Sequence, residues 1–185
     1  VRNGHSSDLV ADRVFLSEMA EWRNHPAFLA YYTADESALP FLDGETHIYA
    51  LIRQYDPDHP AWSVCASFGS VRDFLPAYDI VGTDLYPIGR HPMRHVTDGV
   101  TAAVQNTFSS RSVWQVGQAF SWSQYKTSGK ENVRFPTEAE YRNMTWQHIA
   151  GGANGLFYFM FSCLREKGVD FDSQWAALCT VGEEV

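Results

Sequence analysis

Five short apolar runs recur along the chain, and none of them alternates apolar with polar residues: FLAYYTA (28–34), AWSVCAS (61–67), DIVGTDLYP (79–87), SVWQVGQAFSW (112–122) and GANGLFYFMFS (152–162). A strand wetted on one face shows a period of two, whereas a strand covered on both faces reads as a continuous apolar run. Segments of helical periodicity lie between the runs. Residues 8–24 place Leu9, Val10, Val14, Phe15, Met19 and Trp22 at roughly helical spacing with polar residues between and stop before His25-Pro26; another helix covers about 44–55 and stops at Asp56-Pro57. A brief helical turn is read at 71–78 and a further helix at 96–108. The unit after Pro136 is the clearest, with Thr137 as N-cap and Glu140 three residues on, a capping box, and Gly151-Gly152 closing the helix. A last amphipathic helix starts at Phe171 and is expected to be barely formed where the sequence stops.

Buried strands separated by helices predict parallel β/α units, because parallel neighbours need crossover connections and the crossover helices cover the sheet. No low-complexity or Pro/Gly-rich linker divides them, so residues 1–185 are read as a single domain. The two architectures of this class are an open doubly wound sheet and a (β/α)8 barrel. A dinucleotide-binding doubly wound sheet carries a glycine-rich phosphate loop after its first strand, and YYTADES (31–37) has none. The barrel accounts for more: barrel chemistry sits at the C-terminal strand ends, where Asp35, Glu36, Asp84, Gln118 and Trp122 fall. A complete barrel takes about 250 residues, so five units in 185 residues are expected to form a partial one.

Composition narrows the partners. Fourteen basic against 22 acidic residues give a net charge of -8, with no basic stripe to neutralise a phosphate backbone, so nucleic acid is not an expected partner. The longest apolar runs fall far short of the roughly 20 residues that span a bilayer, and no membrane association is expected. The start, VRNGHSSDLVADR, shows no apolar signal-like core, and the compartment is not assigned. Cys65, Cys163 and Cys179 form no CxxC pair and are read as buried thiols. His91 and His95, four apart around Pro92, would bind a metal only on a helix with a third ligand, so neither a metal nor another cofactor is expected. His25-Pro26 and His59-Pro60 each precede a strand and are placed at its N-terminal end.

The succession HPAFLAYYTADE, DPDHPAWSV, YDIVGTDLYPIG, SVWQVGQAFSW and FPTEAEYRNMTWQHIAGGANGLFYFMF resembles the C-terminal part of TIM-barrel glycoside hydrolases of the broad clan-A-like kind, strands four to eight in order. The resemblance covers essentially the whole chain. It implies hydrolysis of O-glycosidic bonds in a poly- or oligosaccharide, with strands one to three lying upstream of Val1. It also implies that Glu36, at the end of the strand matching strand four, is the general acid/base. Two positions depart from the family's pattern: Asp35 stands where an Asn usually precedes that Glu, and Gln118 stands near the place of the nucleophilic carboxylate.

Glycosidic cleavage needs one protonated acid at the leaving oxygen and a second carboxylate as nucleophile or base. Glu36 and Asp84 are the expected catalytic pair, each with a structural alternative: capping or an ion pair for Glu36, turn formation for Asp84. Asp35 either supports Glu36 or caps the following turn. Gln118 is either a substrate-binding amide or a buried, satisfied polar group. Tyr32, Tyr86 and Trp122 are expected to contact sugar, whose apolar C–H faces suit aromatic platforms, whereas Trp62, Phe120 and Phe161 read more as core. The alternative function is a non-catalytic carbohydrate-binding or structural half-barrel. Open barrel edges are expected to drive self-association, most simply into a C2 homodimer.

Overall fold

In the computed structural model, residues 9–125 and 133–185 are described. The start of the chain, where no signal-like core is read, and most of the polar loop after Tyr125 lie outside them. Five strands and six helices follow in the order α1 (Leu9–Trp22), β1 (Tyr31–Asp35), α2 (Leu42–Tyr55), β2 (Ala61–Cys65), β3 (Ile80–Leu85), α3 (His95–Asn106), β4 (Ser112–Gln118), α4 (Glu138–Gly151), β5 (Gly155–Phe159), α5 (Phe161–Leu164) and α6 (Phe171–Gly182). The strands are ordered β1-β2-β3-β4-β5, and the pairs β1–β2, β2–β3 and β4–β5 are parallel. This is the α/β architecture of a partial (β/α)8 barrel. The chain forms two compact units, Val1–Thr83 with Gln105–Ser112 and Asp84–Val104 with Val113–Val185.

In the first unit α1 and α2 cover one face of β1 and β2. Met19, Tyr31, Ile52 and Ala61 are buried together, flanked by Phe15, Leu16, Phe28, Ile48 and Tyr49. Burying a large apolar side chain of this kind stabilises by about 1.5–3 kcal/mol, which is what commits the amphipathic stripe of α2 to the sheet. Acidic Asp43 and Glu45 stand in the first turn of α2 and Arg53 in its last, in accord with the helix dipole. β1 starts three residues later than the apolar run, because Phe28 closes a turn by donating its N–H to the His25 carbonyl.

In the second unit the capping box of α4 forms as read: the Thr137 hydroxyl accepts from the Glu140 N–H at 3.3 Å and Glu140 Oε2 accepts from the Thr137 N–H at 2.9 Å. Gly152 closes the helix at φ 101°, a left-handed cap that a side chain would strain. The last helix differs from expectation. Rather than barely forming, α6 runs for 12 residues, held to α4 by Tyr141 donating to Gln174 Oε1 at 2.8 Å and by Arg142 bonding Glu184. Cys179 on α6 is exposed, not buried; Cys65 and Cys163 are buried thiols. No helix among the described residues is long and apolar enough to cross a membrane.

Candidate active site

The two ends of the first unit's strands differ in how their carboxylates are used. At the N-terminal end, Asp56 Oδ2 accepts from the Tyr31 hydroxyl at 2.5 Å and both its oxygens lie about 3 Å from His59 Nδ1. Burial alone would raise the Asp56 pKa, but the Tyr31 and His59 hydrogen bonds outweigh it and the net direction is down. Asp79 is engaged likewise, accepting from the Ala61 N–H at 3.0 Å and the Tyr49 hydroxyl at 2.7 Å. These acids tie strand starts to helices, and His59 sits at the strand entry where the sequence places it.

At the C-terminal end, Asp35 and Glu36 are exposed, and neither side chain bonds another group among the described residues. The Glu36 N–H donates to the Val64 carbonyl at 2.9 Å, extending the β1–β2 ladder one residue past Asp35. Immediately there the chain turns, with Glu36 at φ 48°, a left-handed conformation that costs an L-residue with a Cβ about 1 kcal/mol or more. Phe108 and Ser109 share this conformation in the turn before β4. On the same two strands Tyr32 pairs with Trp62 in register, their ring centroids 4.7 Å apart. Tyr32 is 37% exposed and Trp62 half-buried, so this pair presents ring surface to solvent.

Asp84, Tyr86, Gln118 and Trp122 belong to the second unit. Asp84 is half-buried near the end of β3. Gln118, the last residue of β4, is fully buried. Its Oε1 accepts from the Ile88 N–H at 2.8 Å, and its Nε2 donates to the carbonyls of Ile88 and Phe120 at 3.3 and 3.1 Å. All three contacts are to backbone, so this amide pins the loop after β3 to the end of β4. Tyr86 packs edge-on against buried Phe120 at 4.9 Å and reaches Trp122 at 6.2 Å. Trp122 opens a short 3-10 turn capped by Ser121 and Gln124. The Arg90 guanidinium lies 3.3 Å from the centre of its ring, so one indole face is already covered. Phe161, read as core, is 49% exposed and stands with Phe171 and Trp175.

Among the described residues no three His, Cys, Asp or Glu side chains cluster closely enough to hold a metal ion. His91 and His95 stack with ring centres 4.6 Å apart. Three side chains escaped the sequence reading. Arg90 was visible only as part of GRHPMRH, a basic stretch in an acidic chain. Glu45 and His148 are buried on the inner stripes of α2 and α4. Their signal is spacing: Glu45 shares the 45, 48, 49, 52 stripe with Ile52, and His148 the 141, 144, 145, 148 stripe with Tyr141 and Met144.

No protein-family model matches the chain, and no curated protein matches it in sequence. Solved structures match it in fold. A candidate α-L-fucosidase from Bacteroides thetaiotaomicron superposes with a TM-score of 0.67 at 9% identity, over 93% of this chain and 60% of its own length. A β-galacturonidase from Eisenbergiella tayi, solved with galacturonate bound, gives 0.65 at 14% identity over 92% and 36%. A β-glucuronidase from an uncultured Clostridium species gives 0.60 at 11% identity over 97% and 38%. The chain therefore spans between 36% and 60% of these three proteins. At such identities the likeness is one of fold, and the fold is glycosidase-like.

Proposed function

We propose that this chain is the glycoside hydrolase portion that carries the general acid/base, with Glu36 in that role and Asp35 beside it. One observation carries the reading. In the first unit, Asp56 and Asp79 at the N-terminal strand ends are consumed by hydrogen bonds, while Asp35 and Glu36 at the C-terminal end stand exposed without a side-chain partner among the described residues. An acid that must give a proton to a leaving oxygen needs that access, and parallel β/α barrels place chemistry at that end. The left-handed backbone at Glu36 points the same way, since a glycine would serve the turn at lower cost and strained positions concentrate at functional sites. The exposed Tyr32–Trp62 pair on the same strands supplies an aromatic face for a sugar ring. The fold likeness to fucosidase, galacturonidase and glucuronidase structures supports O-glycosidic bonds as the target and the assignment to the C-terminal part of a clan-A-like barrel.

The test is turnover of aryl α-L-fucosides, β-D-glucuronides and β-D-galacturonides by the chain and by Glu36→Gln. Loss of general acid/base catalysis should lower turnover by about 10² to 10⁴ with saccharide binding retained. Glu36→Gly should at the same time leave stability unchanged or raise it by up to about 1 kcal/mol, because it relieves the positive φ. Turnover undiminished in Glu36→Gln removes Glu36 from the reaction. A second reading, a sugar-binding half-barrel without catalysis, is favoured by Gln118: the strand end where the resemblance places a nucleophilic carboxylate holds a buried amide bound to backbone. No turnover by the parent chain, with sugar binding intact, selects it.

A further inference from the structure

We infer that the loop from Tyr86 to His95 recognises an anionic substituent, a carboxylate or a sulfate ester, on the saccharide this protein binds, and that Arg90 is the residue that reads it. The inference rests on the carbohydrate reading above and specifies which class of sugar. Residues 85–97, LYPIGRHPMRHVT, contain two arginines, two histidines and no acid, in a chain whose net charge is -8. Its two guanidinium groups follow the C-terminal end of β3, with Asp84 before the segment and Asp98 after it.

Arg90 is held in place for an oxyanion. It is exposed, yet its guanidinium is oriented, held 3.3 Å from the ring centre of Trp122. Stacking uses the flat face of the guanidinium and leaves its in-plane N–H groups directed outward, the fork that matches an oxyanion. No carboxylate among the described residues pairs with it, in contrast to Arg134 and Arg142, which bond Glu140 and Glu184. Trp122 is itself fixed by the Ser121–Gln124 capping box, and the loop carrying Arg90 is pinned by Gln118 through both backbone groups of Ile88. Donor and platform are therefore both set before any ligand arrives, which reduces the entropy lost on binding.

The helix that follows does not compete for the anion. The first N–H groups of α3 are already used: those of His95 and Val96 by the carbonyls of Pro92 and Met93, that of Thr97 by Gln147 Oε1 at 3.3 Å, and that of Asp98 by the Arg94 carbonyl. Asp98 also lies in the first turn. Side chains, not the helix end, must supply the donors. Arg94 and His91 are exposed beside Arg90 in sequence, and His91 stacks on His95. His95 is held below the usual imidazole value, by burial first and then by His91, with Asp98 acting against both.

The experiment compares three trisaccharides of matched length by titration against the chain, read by tryptophan fluorescence: tri-galacturonate, the neutral galactose trisaccharide and its 6-sulfated form, with inorganic sulfate alone as a fourth probe. At least one acidic trisaccharide should bind about tenfold or more tightly than the neutral one, the gain expected of a charge-assisted hydrogen bond. Arg90→Gln should abolish that preference, and Arg90→Lys, which keeps charge but loses the fork, should fall between. Preference for the galacturonate over the sulfated sugar identifies a uronosyl carboxylate as the substituent, and the reverse identifies a sulfate ester. Equal affinity for acidic and neutral sugars, or a preference that survives Arg90→Gln, overturns the inference while the carbohydrate reading stands. Inorganic sulfate binding as tightly as the acidic sugars overturns it too, by reducing the site to a simple anion site. Failure of all three trisaccharides to bind removes the carbohydrate reading itself.

Discussion

In each compact unit the inner stripe of a helix buries a carboxyl or an imidazole, and the two differ in sign. In the first unit Glu45 on α2 is 2% exposed. Its Oε1 has no hydrogen-bond partner among the described residues, and Ser37, Ser63, Val64, Cys65 and Phe74 line the same recess. In the second, His148 on α4 is fully buried, with neither ring nitrogen bonded among the described residues. Burial disfavours the charged form of any group, so it raises the Glu45 pKa, with the Ser37 hydroxyl offsetting part of the effect, and lowers that of His148 to about 4. One physical cause therefore makes the first unit sensitive to base and the second to acid.

The largest expected effect is that of acid on His148. Its folded pKa lies below the unfolded value, so the unfolded chain binds more protons between the two. The contribution is fully present above the unfolded value near 6.5 and is lost as pH falls through about 4. Lowering the pH from 7.5 to 4.5 should therefore cost about 2.5 kcal/mol through this group. His148→Leu removes it. Urea titrations at both pH values should show the wild-type chain losing about that much more than the variant; equal losses would break the comparison on this side.

Packing is the second difference. His148 has close neighbours: a Cβ added at Gly117 on β4 would lie 2.7 Å from Tyr158 Cε1 and 3.3 Å from His148 Cε1. The Tyr158 ring cannot swing aside freely, since its hydroxyl is hydrogen-bonded to Thr145. Gly117→Ala should thus destabilise by about 2 kcal/mol through overpacking. In the first unit, a Cβ added at Gly69 would meet nothing nearer than Ser67 Oγ at 4.0 Å, so Gly69→Ala should cost less. A Gly117→Ala chain as stable as wild type would show that the second unit yields as easily as the first.

Strand type and order were legible because buried parallel strands leave an unalternating apolar signature, and the Thr137 capping box and Gly152 cap were legible because local hydrogen bonding specifies them. The extent of α6 was not, since what fixes it is tertiary: Tyr141 on Gln174 and Arg142 on Glu184. Glu36 could be singled out from its position after an apolar run, but its positive φ could not, because no glycine marks the turn. Gln118 was read with two alternatives, and the contacts that engage it come from Ile88, 30 residues earlier. Arg90 escaped because its meaning depends on Trp122, 32 positions on. Glu45 and His148 escaped because a polar residue on an apolar stripe reads as an interruption until burial shows that the stripe includes it.

The smallest expected effect is also the most direct test of the contrast. Glu45→Gln keeps the shape of the side chain and removes its titration. Because burial raises the folded pKa of Glu45, its contribution is fully present below the unfolded carboxyl value and is lost as pH rises through the folded one. The wild-type chain must therefore lose ground to Glu45→Gln as pH increases, the opposite of its behaviour against His148→Leu. At pH 8 the variant should be more stable by about 1 kcal/mol, the scale of one unsatisfied buried polar group, with the advantage shrinking toward pH 4.5. Urea midpoints of the two chains at the two pH values decide it: an advantage that stays constant with pH would mean that the Glu45 carboxyl does not titrate differently in the fold, and one that grows toward acid would reverse the sign assigned to the first unit.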